Sequence, residues 1–439
     1  MSISLKPSRY LILVDAPVES GMDKIAFSAS TGKMMLLDEA DSKALASIDA
    51  SDEGRLRQYV ESGFLVDVEL DELALQRDLF LQAQNDDSTL SLCIAPTYAC
   101  NLRCPYCYEE GSDQSCKLMD AKVQDGIVSF VQGVFDMSHY EVMEVQWYGG
   151  EPMLGASIIE KLSERLIDFC EGHDILYSAE IITNATLIDA DGANMLASKR
   201  VRKALVTIDG TRDEMNKRRP AADGSDSFDS ALQGAKHLQD AGINVVAMMN
   251  ADKVNENVYD EACEIVRDRL GIPLMHAKLN DYRRCFGQGD FCEPGFDLYT
   301  HKEFAELDCM RFVSEDRSAE DYRFKLSPVP MFCRGQMSRY FVIDALGDVY
   351  RSDGYMGNED HRIFSIFDGF DKETMFANSE YPFDDGMCTE CNMLPICKGT
   401  CRWERECCDD HPCHPLKHTM RDYLQGWARA SLADSDAKV

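Results

Sequence analysis

The chain of 439 residues contains no apolar run near the roughly 18 residues that cross a bilayer. Its first residues, Met1-Ser-Ile-Ser-Leu-Lys6, lack the charged stretch and apolar core of a signal peptide. No membrane association is therefore expected, and the expected location is the cytoplasm. Basic residues are scarce: 45 Lys and Arg against 77 Asp and Glu leave a formal net charge of −32. Phosphate backbones need cations to neutralise them, so no nucleic-acid partner is expected. Part of the acidic total is a solvated surface that aids solubility. No fixed-period repeat and no low-complexity segment stands out. The length exceeds one ordinary core, which implies two or three domains.

Cysteine, in contrast, is abundant, with 18 residues. A reducing cytosol disfavours disulfides, so cysteines clustered at short spacings point to metal. The first cluster lies in Cys100-Asn-Leu-Arg-Cys104-Pro-Tyr106-Cys107-Tyr-Glu109, at spacing C-x3-C-x2-C. Three thiolates are one short of the four that saturate an iron–sulfur cluster, which leaves one iron open to a small ligand. Zinc would require a fourth protein ligand. The nearest other cysteines are Cys93, which reads as a buried strand thiol, and Cys116. The second cluster, Cys388-Thr-Glu-Cys391-x5-Cys397-x3-Cys401, suits an iron–sulfur knot or a structural zinc.

Patterning divides the chain. Residues 1–87 read as a small α+β domain. Its strands are Tyr10–Val14, Ile25–Ser28, Met34–Leu37 and Phe64–Val66, with helices over Asp38–Ile48 and Asp71–Gln84. Another helix, capped by Asp52, should turn Leu56, Tyr59 and Val60 inward and stop at Gly63.

Residues 88–280 alternate strands with helices. The strands are Leu92–Ala95, Val142–Trp147, Ala179–Thr183, Lys203–Ile208, Ile243–Met249 and Leu274–Leu279. Helical stretches lie near 119–134, 157–170, 189–198, 228–241 and 257–270. Six strands with helical crossovers imply a parallel sheet too small for an eight-stranded barrel, hence a partial open (β/α)6 barrel. Ligands bind at the C-terminal strand ends of such sheets, and the first cysteine loop follows the first strand. Residues 281–332 form a bridge with a helix near 301–313. Residues 333–439 form a cysteine-rich domain closed by an amphipathic helix, Leu416–Ala430, whose Met420, Tyr423, Leu424 and Trp427 read as core.

The cysteine loop resembles the cluster-binding motif of the radical S-adenosylmethionine enzymes, and companion motifs follow in that family's order. Tyr148-Gly149-Gly150-Glu151-Pro152 resembles its Gly-Gly-Glu-Pro segment. By that resemblance, Gly149 and Gly150 allow close approach to a ligand and Glu151 supplies charge for the methionine ammonium. Thr183-Asn184-Ala185 resembles the Thr-Asn-Gly segment, with alanine replacing glycine. Thr207-Ile208-Asp209-Gly210 resembles Ser-x-Asp-Gly. Arg219 stands where the family has an arginine near the S-adenosylmethionine carboxylate, to which a planar fork is suited; otherwise it is a surface arginine of a Lys-Arg-Arg run. Tyr106 and Asn250 complete the implied cofactor contacts. The resemblance implies a 4Fe–4S cluster on Cys100, Cys104 and Cys107. It also implies S-adenosyl-L-methionine, reductively cleaved to a 5′-deoxyadenosyl radical that abstracts hydrogen, with electrons from an external flavodoxin- or ferredoxin-like donor.

The second field resembles the SPASM extension, which carries one or two auxiliary iron–sulfur clusters. That implies an outer cluster on Cys388, Cys391, Cys397 and a later cysteine. Cys413 is preferred there over Cys407 and Cys408. The inner cluster would use Cys333 and Cys401, but Ser352 stands where its next cysteine is expected. Cys309, Cys292 or Cys285 could complete it, Ser352 or substrate could ligate, or the cluster is missing. Asp353 occupies the position of a proton-accepting aspartate in sulfatase-maturing members; the alternative is a plain turn residue.

Residues 1–87 resemble the winged-helix peptide-recognition domain, which takes a peptide as an added strand; the alternative is a domain that only packs on the barrel. The implied function is maturation of a ribosomally synthesised precursor peptide, held by its leader, through a thioether or carbon–carbon crosslink. Formylglycine formation in a sulfatase and a non-catalytic iron–sulfur or zinc peptide-binding scaffold are the alternatives. On this reading, removal of residues 1–87 spares cofactor cleavage.

Overall fold

The computed structural model describes residues 4–48, 52–107, 109, 117–280, 295–369, 371, 373, 381–407 and 412–436. Cys116, Cys285, Cys292 and Cys408 lie outside the described residues, as does the side chain of Cys407.

The N-terminal unit contains β1 (Leu5–Pro7), β2 (Leu11–Asp15), β3 (Lys24–Ser28), β4 (Met34–Leu37), α1 (Glu39–Ser47), α2 (Glu53–Glu61), β5 (Leu65–Asp67) and α3 (Glu72–Gln84). β2, β3 and β4 form an antiparallel meander, and β1 pairs with β5. The three helices start where Asp38, Asp52 and Asp71 accept backbone N–H bonds from Asp41, Arg55 and Ala74. Val60 does not point inward as expected but is 42% exposed. The left-handed turn at Gly63 (φ +75°) folds Phe64 back onto Tyr59, ring centroids 6.4 Å apart, and Phe64 takes the core position instead.

The main sheet has the order β11-β10-β9-β8-β7-β6-β12-β13-β14. The six expected strands are β6 (Thr89–Ile94), β7 (Val142–Trp147), β8 (Leu176–Thr183), β9 (Val201–Thr207), β10 (Asn244–Ala251) and β11 (Leu274–Lys278), all parallel. Strand β7 alternates half-buried and buried residues. Its outward residues Met143, Val145 and Trp147 pack beneath helices that bring Ile127, Val131 and Leu162. The inward residues Glu144 and Gln146 face a polar interior with Glu180. Arg334 donates to Glu180 at 2.7 Å and lies 3.4 Å from Glu144.

The reason the barrel stays open was not legible in the sequence. β12 (Tyr340–Ile343) adds parallel to β6, from Tyr340↔Ser91 to Ile343↔Ile94, and occupies the edge that closure would need. β13 (Asp348–Tyr350) and β14 (Phe364–Ser365) extend the sheet antiparallel. The cysteine-rich region thus begins as three strands of the barrel's own sheet.

A second core joins the two ends of the chain. The helix His301–Ser314, started by a capping box between Thr300 and Glu303, and the helix Ala319–Lys325 pack on the closing helix Leu416–Asp436. Met420, Tyr423, Leu424 and Trp427 are buried there as expected, together with Tyr10, Ile25 and Phe27 of the N-terminal unit. Cys309 lies in this core at 3% exposure, its thiol pushed up to about 12 by burial. Its charged and polar neighbours there are Asp422, Thr419, Asp308 and Lys325. Removal of residues 1–87 would uncover this shared core.

Candidate active site

The loop after β6 is held in place before any cofactor is considered. Thr97 bridges Leu118, and Leu102 bridges Ala221. Arg103 N–H donates to Pro220 O at 2.8 Å, and Ala222 N–H to Asn101 O at 2.9 Å. The Arg103 guanidinium donates to the carbonyls of Cys100 and Leu102 at 2.7 and 2.8 Å. Cys100, Cys104 and Cys107 therefore sit on one tied loop at the C-terminal end of the sheet. Burial pushes the Cys100 thiol up to about 11, and the charges of Glu151 and Cys104 push in the same direction. Burial, Glu109 and Cys104 raise Cys107 as well. Thiols so placed ionise against a cation, which is what an iron cluster supplies.

These cysteines line a cavity of about 390 Å³ with residues from the following loops. After β7 come Gly149 and Gly150. A Cβ on Gly149 would lie 2.4 Å from Thr97 O, and one on Gly150 would lie 2.4 Å from Ala99 O. The glycines thus serve loop-to-loop contact, bringing the second loop against the cysteine loop. Glu151 is fully buried and does not line the cavity. Its oxygens accept from Thr183 Oγ1 (2.7 Å), Asn184 N (2.8 Å) and Met153 N (3.0 Å). The expectation that its charge meets the methionine ammonium gives way to a positioning role for the β8 loop.

In that loop Ala185 holds the left-handed conformation (φ +59°) for which the family pattern has glycine. Its carbonyl lies where a Cβ on Gly234 would come within 1.9 Å, so the neighbouring helix leaves room for the turn. Asn184 lines the cavity and donates to Asn101 Oδ1 at 2.9 Å.

Thr207, Arg219 and Asn250 also line the cavity. Asp209 sits behind them, fully buried, accepting from Tyr106 OH and from Asn250 N at 2.8 Å. Arg219 lies 3.5 Å from Asp209 and donates to Tyr106 OH at 2.5 Å. Arg218 is buried and the Arg219 side chain is only 11% exposed, so neither is a surface arginine. Burial works against the Arg219 charge, but Tyr106, Cys104 and Asp209 outweigh it and hold the group above its usual range. Its Nε is buried without a hydrogen-bond partner among the described residues. An unused donor on a fixed cation beside the cysteine loop suits a carboxylate such as that of S-adenosylmethionine.

Asp353 reaches the same cavity from the turn that follows β13, and Ser352 caps that turn, accepting from Gly354 N at 3.3 Å. Burial raises the proton affinity of Asp353. Tyr98 OH donates to the fully buried Asp344 at 2.7 Å, tying the β12–β13 hairpin to the cysteine loop. Sequence reasoning gave no role to Glu109, Lys278 or Asn280, which also line the cavity. Burial, then the charge of Asp353, pushes Glu109 up to about 8. An acidic residue two positions after the third cysteine was the available signal. Lys278 ends β11 and Asn280 lies just past it, in a stretch with no motif.

The second cysteine field converges in part. Charges on Cys391, Cys388 and Cys413 all act on Cys397, so these four thiols are neighbours. Cys388 and Cys391 pack toward the C-terminal core, whereas Cys401 packs against the barrel core. Cys333 is exposed and close enough to feel the Asp353 charge.

Comparison with known proteins agrees with this geometry. Residues 94–266 match the radical SAM superfamily. The cysteine-type anaerobic sulfatase-maturating enzyme of Clostridium novyi (strain NT) is 25% identical over 349 residues, 72% of this chain and 89% of its own. That of Clostridium perfringens (strain 13 / Type A) is 26% identical, over 73% of this chain and 91% of its own. Two solved structures share the fold. Native anSMEcpe with bound AdoMet and Cp18Cys peptide has a TM-score of 0.59 at 19% identity, covering 80% of this chain and all of its own. Streptococcus suis SuiB bound to precursor peptide SuiA has a TM-score of 0.51 at 14% identity, covering 94% of this chain and 99% of its own. Residues 94–266 are thus a radical SAM domain, and the relatives and the shared fold support a radical SAM enzyme with SPASM-like architecture.

Proposed function

We propose that this enzyme modifies a ribosomally synthesised precursor peptide and installs a thioether or carbon–carbon crosslink. The observation that carries the reading is the N-terminal α+β unit, which shares a core with the cysteine-rich end; the sulfatase-maturating relatives match 72–73% of this chain, whereas the SuiB fold spans 94% of it. SuiB, whose fold spans nearly the whole chain, was solved with its precursor peptide, and a leader held by residues 1–87 is the corresponding role here.

Cys100, Cys104 and Cys107 hold the 4Fe–4S cluster. Tyr106, Gly149, Gly150, Asn184, Thr207, Arg219 and Asn250 surround S-adenosylmethionine, with Glu151 and Asp209 holding that shell. When bound, the two cofactors supply a carbon-centred radical that removes a hydrogen atom from substrate. The tied loops exclude water and orient the peptide carbon. Asp353 takes the proton released when a thiol, hydroxyl or carbon acid of the substrate forms its new bond; its raised proton affinity suits that task. Electrons enter from a flavodoxin- or ferredoxin-like donor in the cytoplasm. Among the described residues no helix is long and apolar enough to cross a membrane.

Formylglycine formation is the second reading, favoured by the sequence relatives and by Asp353 in the cavity. Anaerobically reconstituted enzyme offered a peptide encoded beside its gene and, separately, a cysteine-containing sulfatase peptide separates the two. Loss of a hydrogen pair from the first peptide, seen by mass spectrometry, supports crosslinking. Conversion of cysteine to aldehyde in the second peptide alone would overturn it. Asp353→Asn should retain cofactor cleavage and lose product.

A further inference from the structure

The four neighbouring thiols of the second field differ in what faces them. Arg405 donates from NH1 to Cys388 Sγ at 3.2 Å. Its other arm is held by Asp385, and its guanidinium lies 5.1 Å from the Tyr381 ring centroid. Lys417 donates from Nζ to Cys391 Sγ at 3.3 Å, and Met393 N–H donates to the same sulfur at 3.4 Å. The charges of both cations also reach Cys413, against that of Asp385. The Arg405 side chain is 12% exposed, while Lys417 lies on the exposed face of the closing helix.

We propose that Arg405 and Lys417 are potential-setting residues for the outer auxiliary cluster and favour its electron-loaded state. The proposal rests on the reading of Cys388, Cys391, Cys397 and Cys413 as the ligands of that cluster. A cluster that gains one electron, with no bond or proton transferred, gains one negative charge on its iron and sulfur atoms. Cations and N–H donors on the ligating sulfurs stabilise that added charge and raise the reduction potential. Arg405 is shielded from water and fixed by Asp385 and Tyr381, so it carries the larger share. Lys417 is screened by solvent and salt. The outer site is thereby tuned to accept an electron rather than merely to staple the fold.

The test uses the full chain with Cys100, Cys104 and Cys107 replaced by Ala, so that retained iron is auxiliary. Redox titration with dithionite, followed by electron paramagnetic resonance, reads the midpoint in this background and with Arg405→Met, Arg405→Lys or Lys417→Met added. Arg405→Met should lower the reduced-to-oxidised ratio at fixed poise about tenfold, a one-electron shift of about 59 mV. Arg405→Lys should recover part of it. Lys417→Met should give a smaller shift that shrinks with added salt. An unchanged midpoint in Arg405→Met with iron content intact overturns the tuning and leaves the cluster reading standing. If Arg405→Met sheds its iron, an unchanged midpoint in Lys417→Met, which disturbs no packing, overturns it. A parent variant without auxiliary iron overturns both.

Discussion

At the scale of single residues, two kinds of position govern the site: those that touch the cavity and those that hold the first kind still. Gly150 belongs to both. A methyl group there would meet the carbonyls of Ala99 and Tyr98 at 2.4 and 2.5 Å, and both are backbone that cannot swing aside. Gly150→Ala should cost about 1–3 kcal/mol of apo-protein stability. It should also lower iron at the radical site while auxiliary iron remains, as checked by thermal unfolding and iron content. Arg219 belongs to the first kind. Lysine keeps the charge but loses the planar fork that spans Tyr106, Asp209 and the free Nε direction. Arg219→Lys should weaken S-adenosylmethionine binding about tenfold, or about 1.4 kcal/mol, by calorimetry. The motif residues were legible because their order along the chain repeats the order of the strands. What Glu151 does was not: a carboxylate facing a ligand and one turned into the protein have the same letter.

At the scale of elements, the β12–β13 hairpin is the part that sequence reasoning undervalued. Tyr340-Phe-Val-Ile343 is an apolar run followed by a turn, set among cysteines whose spacing carries the stronger signal. Its parallel pairing with β6, some 250 residues earlier, depends on the barrel being already half built. The hairpin leads into the turn that carries Asp353 and is fastened to the cysteine loop through Tyr98 and Asp344. Tyr98→Phe leaves the buried Asp344 oxygen with less compensation and should cost about 1–3 kcal/mol. Cofactor cleavage should continue while its coupling to peptide modification falls, read as adenosyl product formed per modified peptide. The six barrel strands were recovered to within a few residues at each end because each faces helices with one side. Boundaries shifted where caps, such as Asp120 for the helix Ala121–Met137, set the first turn.

At the scale of the whole molecule, the chain closes on itself. Tyr10, Ile25 and Phe27 from its beginning pack with Tyr423, Leu424 and Trp427 from its end. Lys398, buried between two cysteines of the second field, donates to Gln76 of α3 at 2.7 Å. Deletion of residues 1–87 uncovers that apolar surface and leaves the lysine without its partner. The truncated chain should aggregate and lose auxiliary iron, measured by size-exclusion chromatography and iron content. A monodisperse truncation with full auxiliary iron would show that the shared core is dispensable.

The sequence by itself determined the radical SAM domain, the six-stranded parallel barrel and the residues around the cysteine loop. These depend on local spacing and on periodicity, which are properties of short stretches. Only the tertiary structure decided which carboxylates face the cavity, that Cys309 is a core thiol, that Cys413 lies near Cys388, Cys391 and Cys397, and why the barrel stays open. Each depends on segments far apart in the chain meeting in one place, and packing, not spacing, decides which segments meet.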